Sequence, residues 1–378
     1  MNQKEVSELR KRFRTDYSNI TKIFCCYVNG AGEIISTAEL SLGLLPQDEQ
    51  EMYLALLKKT LSGSLGRNLL DIPFSGRQVI DSDEHRMLQR LRKSSLTDAA
   101  AREELCRRII GSLDMDGENY LILMAADTYD VPYRGRDGSE MPDASQNVYQ
   151  YFVCCVCPVK AASPHLQYDA DEKEFHSGHG GQAVGAPALG FLFPAFDDRT
   201  ANIYNALFYT HDLTQIHQEF IDAVFCVEPP MAPGEQRSVF GAALTGTLEN
   251  DCRFSVVQSV HEQLRTRLDE HRESRDPEPP ELSLEQVADC LIESGVTEEK
   301  ARQFRQECQK RYGEHSLLNP ANLIESRKFE VSTPGIRISV APDSTGMVQT
   351  RIINGRKFIL IPAEGGVEIN GIPVSVDE

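Results

Sequence analysis

The chain has 378 residues and 42.3 kDa, 40% of it hydrophobic and 25% charged. That excludes wholesale disorder and leaves room for two or three domains at roughly 150 residues each. Lys and Arg number 39 against 57 Asp and Glu, a net charge of −18, so any contact with nucleic acid needs a local basic face rather than the overall field.

Along the chain, Val6, Leu9 and Phe13 recur at helical spacing within residues 3–15, and Tyr17 continues the stripe. The other face carries Arg10, Lys11, Arg12 and Arg14. The charged start MNQKEVSELRKRFR lacks the apolar core of a secretory signal. The β-branched, aromatic run at 22–28 meets Asn29-Gly30 and then residues 33–37, which predicts a hairpin. Helices are expected at 47–61, 82–94 and 98–113, with Met52, Leu54, Leu56 and Leu57 available for burial in the first. The second crowds His85, Arg86, Arg90, Arg92 and Lys93.

Residues 119–128 and 148–159 read as an antiparallel pair joined by a polar loop. A Gly-rich segment at 177–185 follows, then GFLFPAFDDRTANIYNALFYT at 190–210 and renewed helical periodicity at 213–225. The segment at 271–281, HRESRDPEPPE, has the composition of a linker. Beyond it, Ser283 and Gln286 form an S-x-x-Q capping box, Gly295 fits a helix end, and a second helix follows Thr297. From Phe329 the pattern turns to strands, with tight turns at Asn354-Gly355 and Asn370-Gly371.

The chemistry-bearing patterns are few. Cys154 and Cys157 have C-x-x-C spacing, and His176 and His179 follow as H-x-x-H, a ligand set for zinc. Strand alternation would send the two thiols to opposite faces, so they read as small core residues, with no metal and no cofactor expected. Asp197-Asp198-Arg199, with Asn202 just after, offers two carboxylates, but the expected role is the N-cap of a helix beginning near Arg199. Nucleotide, kinase, zincin and serine-hydrolase fingerprints are absent from the sequence, which lowers the expectation of an enzyme. Ten cysteines beside a start without an export signal read as reduced thiols, so the cytoplasm is the expected compartment. No apolar run reaches the roughly 20 residues that span a bilayer, and no membrane partner is expected.

Three resemblances follow from these residues. SELRKRF…CCYVNG, GFLFPAFDDRTANIYNALFYT and RIINGRKFILIPAEGGVEINGI resemble, over essentially the whole chain, the bacterial family of domain of unknown function 4317. That resemblance implies a cytosolic bacterial protein and carries over no activity or catalytic residue. The order of elements is similar to that of the 37-kilodalton nucleoid-associated proteins, a fold-level analogy. Gly180-Gly181-Gln182 resembles the catalytic loop of class I peptide-chain release factors. It implies a ribosome-associated hydrolase in which Gln182 places a water, although AVGAPALGFLFP follows it where those factors carry a basic helix.

The sequence therefore predicts an α+β protein: a main domain of antiparallel strands and helices over 1–270, a linker at 271–281, a helical segment at 282–325 and a small β unit at 326–378. The expected function is non-enzymatic binding of a macromolecule, nucleoid-associated-like. Nucleic acid or a ribosome would be held by Arg10, Lys11, Arg12, Arg14, Arg86, Arg90, Arg92 and Lys93. The alternatives are the release-factor-like hydrolase and a protein–protein adaptor or homo-oligomer pairing through its C-terminal hairpin edges.

Overall fold

The structure, a computed structural model, describes residues 1–134, 140–161, 165–169, 173–178, 181–314, 316–369 and 371–375. By packing, the chain divides into two units: Met1–Pro233 with Pro277–Pro279, and Gly234–Asp276 with Pro280–Glu378.

The first unit contains α1 (Gln3–Lys11), β1 (Lys22–Val28), β2 (Ile34–Ser41), α2 (Gln47–Lys59), β3 (Leu69–Pro73), α3 (Gly76–Asp81), α4 (Asp83–Lys93) and α5 (Ala99–Ser112). It continues through β4 (Asn119–Arg134), β5 (Glu140–Ala161), β6 (His165–Asp169), β7 (Glu174–Gly178), β8 (Gln182–Val184), β9 (Leu189–Phe193), β10 (Ala195–Asp197), β11 (Thr200–Asn202), β12 (Asn205–Thr210) and α6 (Gln218–Phe225). One antiparallel sheet runs β2-β1-β4-β5-β9-β12-β3, and β8 extends it along the end of β5.

Alternation along each strand divides the core. Cys26 and Val28 of β1, Ile122 and Met124 of β4, and Phe152, Cys154 and Val156 of β5 pack with α4, α5 and α6. Ile23, Leu123, Val153, Cys155 and Cys157 pack on the opposite face with α1 and α2. Central strands buried on both faces explain the continuous apolar runs at 22–28 and 148–159. The fold is α+β, as the sequence predicts.

Several expectations need correcting. β4 and β5 pair from Asn119↔Val159 out to Arg134↔Glu140, well into the expected polar loop. Tyr129, Tyr149 and Tyr151 carry the core into this extension, and a polar alternate face there is compatible with a ladder. Tyr17 and Met52 are exposed. No helix starts at Arg199: Asp198 and Arg199, at φ 48 and φ 57, close a two-residue turn between β10 and β11. A left-handed pair at that site matches hairpin twist and cannot begin an α-helix, and it leaves Asp197 facing Thr200 across the ladder.

The second unit contains α7 (Pro233–Leu248), α8 (Phe254–Ser274), β13 (Leu282–Ser283), α9 (Leu284–Glu293), α10 (Glu298–Tyr312), β14 (Leu317–Leu318) and α11 (Pro320–Leu323). It ends in three hairpins, β15 (Phe329–Thr333) with β16 (Ile336–Val340), β17 (Gln349–Ile353) with β18 (Arg356–Leu360), and β19 (Val367–Ile369) with β20 (Ile372–Val374). The expected boundary at 270 falls instead after Pro233, and the expected linker begins inside α8. The cause is apolar packing: Phe240, Leu244, Val256, Val260 and Leu264 share a core with Val287, Leu291 and Phe304.

The predicted capping box forms, with Ser283 Oγ accepting from the Gln286 amide. Gly295, at φ +87, ends α9 in a Schellman pattern: its own amide donates to Ile292 and the Val296 amide to Leu291. Asn370 lies outside the described residues. Among the described residues, no helix is long and apolar enough to cross a membrane.

His261 is buried on α8, 3.0 Å from the Glu325 carbonyl through Nε2 and edge-on to Phe329. Burial holds its imidazole below the ordinary value, so the folded unit favours the neutral ring. The stability this supplies is complete above the unfolded pKa of about 6.5 and is lost as pH falls through the lowered folded value. Between about pH 7.5 and pH 5.5 the melting temperature is expected to fall less in His261→Gln than in the unmodified chain. Parallel pH profiles would remove the assignment.

Candidate functional site

The Asp197-Asp198-Arg199 turn lies against α1, which buries Val6 and Leu9 on the sheet and brings Glu5 and Glu8 beside the turn. Carboxylate oxygens of Glu5, Asp197 and Asp198 come within 4.8 Å of one another, a spacing that would suit a cation. Two of the three, Asp197 and Glu5, are already engaged by protein groups. The Met1 ammonium is 3.2 Å from Asp197 Oδ1, and Asn202 Nδ2 donates to Asp197 Oδ2 at 3.1 Å. Glu5 accepts from the Asn2 amide at 2.7 Å and the Arg199 amide at 3.2 Å. Burial pushes the Glu5 carboxyl above its usual range despite those bonds. Burial acts to lower the Met1 ammonium, but Asp71 and Asp197 outweigh it and raise it.

Arg199 ties the turn to two other elements. Its Nη1 is 2.8 Å from Glu8 Oε2, and its Nη2 donates to the Pro132 carbonyl at 2.9 Å. Tyr129 donates to Glu8 Oε1 at 2.7 Å, and the Arg12 guanidinium lies 5.0 Å over the Tyr129 ring. Arg12 Nε reaches Asp127 Oδ2 at 3.2 Å, and the Tyr151 hydroxyl donates to the same oxygen at 2.9 Å. Tyr151 stacks on Tyr149, whose hydroxyl donates to the Pro194 carbonyl at 2.6 Å. What this network does chemically is dock α1 and the β10–β11 turn onto β4 and β5. Asp127, Glu8 and Tyr151 were not singled out from sequence; the available signal was a lone carboxylate in the apolar strand NYLILMAADT.

The expected basic faces are largely engaged within the chain. Arg12 points inward to Asp127. Arg10 is half-buried, while Lys11 and Arg14 are exposed, Arg14 beside Asp16 at 3.5 Å. Arg86 pairs with Asp83 at 2.6 Å and Asp81 at 3.8 Å, and Arg90 with Asp98 at 2.9 Å. Arg92 Nε donates to the Gln150 carbonyl at 2.8 Å, and Lys93 is exposed. His85 is buried 2.8 Å from the Ile203 carbonyl, against Phe74 and Phe193.

Cys154 and Cys157 face opposite cores, so the two thiols cannot close on one ion. Cys157 instead approaches Cys155 at 3.9 Å, Sγ to Sγ. Burial pushes the Cys154 thiol well up. Of the expected partners, His179 lies outside the described residues, as does the side chain of His176.

Gln182 sits in β8, opposite Ala161 of β5, where a loop was expected. It accepts from the Tyr27 hydroxyl, which in turn accepts from Asn119 Nδ2 at 2.9 Å. Gly180 lies outside the described residues.

The C-terminal hairpins differ in kind from these satisfied clusters. β15–β16 is anchored: Phe329 is buried and packs edge-on to Phe254 and His261 of α8. The connection to β17 is tied to α8 as well, by Gln258 Nε2 to the Thr345 and Val348 carbonyls at 2.6 and 3.2 Å. β17 is exposed along its whole length, and β18 along its first three residues. Ile352, Ile353, Phe358, Ile361, Ile369 and Ile372 stand open there, Ile352 at 72% exposure. An isolated two-stranded hairpin is marginal in water, and its outer edges carry unpaired backbone groups.

A family model described as "Domain of unknown function (DUF4317)" matches residues 1–372. No curated protein matches the chain.

Proposed function

The chain belongs to the DUF4317 family, and on that premise we propose a non-enzymatic, macromolecule-binding protein of the cytoplasm that works through its C-terminal hairpins. One observation carries this reading: exposed Ile and Phe side chains cluster on β17 to β20, whose edges are unpaired among the described residues. Exposed apolar surface of this kind is costly in a free chain and is relieved when a partner covers it. Arg12, just beyond α1, and Arg86, Arg90 and Arg92 of α4 already have partners within the chain, which favours the hairpins over those helices as the contact. The ten free thiols, most of them buried, support the compartment.

The test compares the full-length protein with Ile352→Thr, Ile353→Thr and Phe358→Thr combined. Both are purified from their own cells and examined for co-purifying protein and for absorbance at 260 nm before and after a high-salt wash. With no Trp in the chain, traces of nucleic acid stand out against a weak protein signal. The expected result is a macromolecule retained by the unmodified chain and lost from the triple variant at an unchanged melting temperature. Equal retention by both, or a bare protein in both cases, sinks the reading.

A further inference from the structure

We propose that the outer edge of β17 takes an acidic, extended protein segment as an added strand; this rests on the hairpins being the binding surface. The register is Ile353↔Arg356, Ile352↔Lys357 and Arg351↔Phe358 around a two-residue turn with Asn354 at φ 51 and Gly355 at φ 78. In such a hairpin the pair flanking the turn exchanges hydrogen bonds, and alternate pairs do not. The amides of Ile353 and Arg351 therefore point to β18, and those of Ile352 and Thr350 point outward. Those outward groups form a template that an extended peptide can complete and a nucleic acid cannot.

Side chains set the chemistry of the occupant. Arg351 and Ile353 of β17 share a face with Arg356 and Phe358 of β18, and Lys357 lies on the other face beside Ile352. Residues 326–360 hold six Lys or Arg and only Glu330 and Asp343, in a chain of net charge −18. Glu330 is taken by Lys328 and Arg337, and Asp343 by Arg265. Arg356 and Lys357 have no ionic partner among the described residues. Cations alternating with Ile and Phe call for a strand in which carboxylates alternate with apolar side chains. The exposed apolar groups are mostly aliphatic, which suits a protein strand better than stacked bases.

The probe is a labelled peptide of alternating glutamate and valine, titrated into the full-length protein by fluorescence anisotropy. A lysine–valine peptide and a short DNA duplex run in parallel. Two variants bear on the edge. Ile352→Pro removes an outward amide without taking one from the β17–β18 ladder. Arg351→Glu reverses the charge opposite the added strand. Each is expected to weaken the glutamate–valine peptide by about tenfold or more, and the lysine–valine peptide is expected not to bind. Protection of the Ile352 amide from hydrogen exchange by the peptide is the second readout, and unchanged protection of Arg351 and Ile353 in the free proline variant shows that the hairpin persists.

Binding that ignores Ile352→Pro, or DNA binding with no peptide binding, overturns the proposal. If the peptide fails while the threonine variant still loses its co-purifying partner, this inference falls and the hairpin reading stands. If the threonine variant loses nothing either, both fall.

Discussion

Gly190→Ala is expected to lower the stability of the first unit by about 3 kcal/mol or more, roughly 6–12 °C in melting temperature. β9 lies between β5 and β12, and Gly190 is where the end of α2 meets the sheet. A Cβ there would stand 2.4 Å from Thr60 Cγ2, 2.6 Å from the Cys154 carbonyl oxygen and 3.0 Å from Cys155 Cβ. None of these neighbours is the end of a flexible side chain. Thr60 is buried, with its hydroxyl donating to the Leu57 carbonyl, and Cys154 O belongs to the central strand. Adding Thr60→Ala removes one of the three contacts, so the double variant is expected to recover less than half of the loss. A Gly190→Ala protein that melts with the unmodified chain would refute this packing.

The second large effect is expected at Asp127. Its side chain is 1% exposed, and it accepts from both Arg12 and the fully buried Tyr151 hydroxyl. Asp127→Ala leaves a guanidinium and a phenol without their acceptor and is expected to cost about 3–5 kcal/mol. Asp127→Asn keeps an acceptor and the shape, and is expected to cost less, about 1–3 kcal/mol. Removing both partners, as Asp127→Leu with Arg12→Leu, is expected to be milder than Asp127→Ala because no charge is stranded. Urea unfolding of the four proteins checks the order. A double variant that loses as much as Asp127→Ala or more would mean that Arg12 and Asp127 do not act as a pair.

This pair also bears on the expected basic face. Arg10 to Arg14 looked like one solvated stripe because helical periodicity assigns faces only while the helix lasts. α1 ends at Lys11, and the chain beyond it turns Arg12 toward the sheet. A similar limit applies at Asp198. Asp before a polar run is a good N-cap, yet the left-handed pair Asp198-Arg199 is held by Glu5 and Glu8, more than 190 residues away in the chain.

What the sequence determined by itself is local. Asn354-Gly355, the Ser283 capping box, the Gly295 helix end and the apolar runs of β1, β4, β5 and β9 are legible because turn chemistry, capping and alternation act over a few residues. The α+β class follows from them, and so does the opposite facing of Cys154 and Cys157. Only the tertiary structure decided the length of the β4–β5 ladder, the allegiance of α7 and α8, and which cations remain free. Each depends on burial and charge pairing between segments far apart in the chain, and such contacts leave no periodic trace in either segment alone.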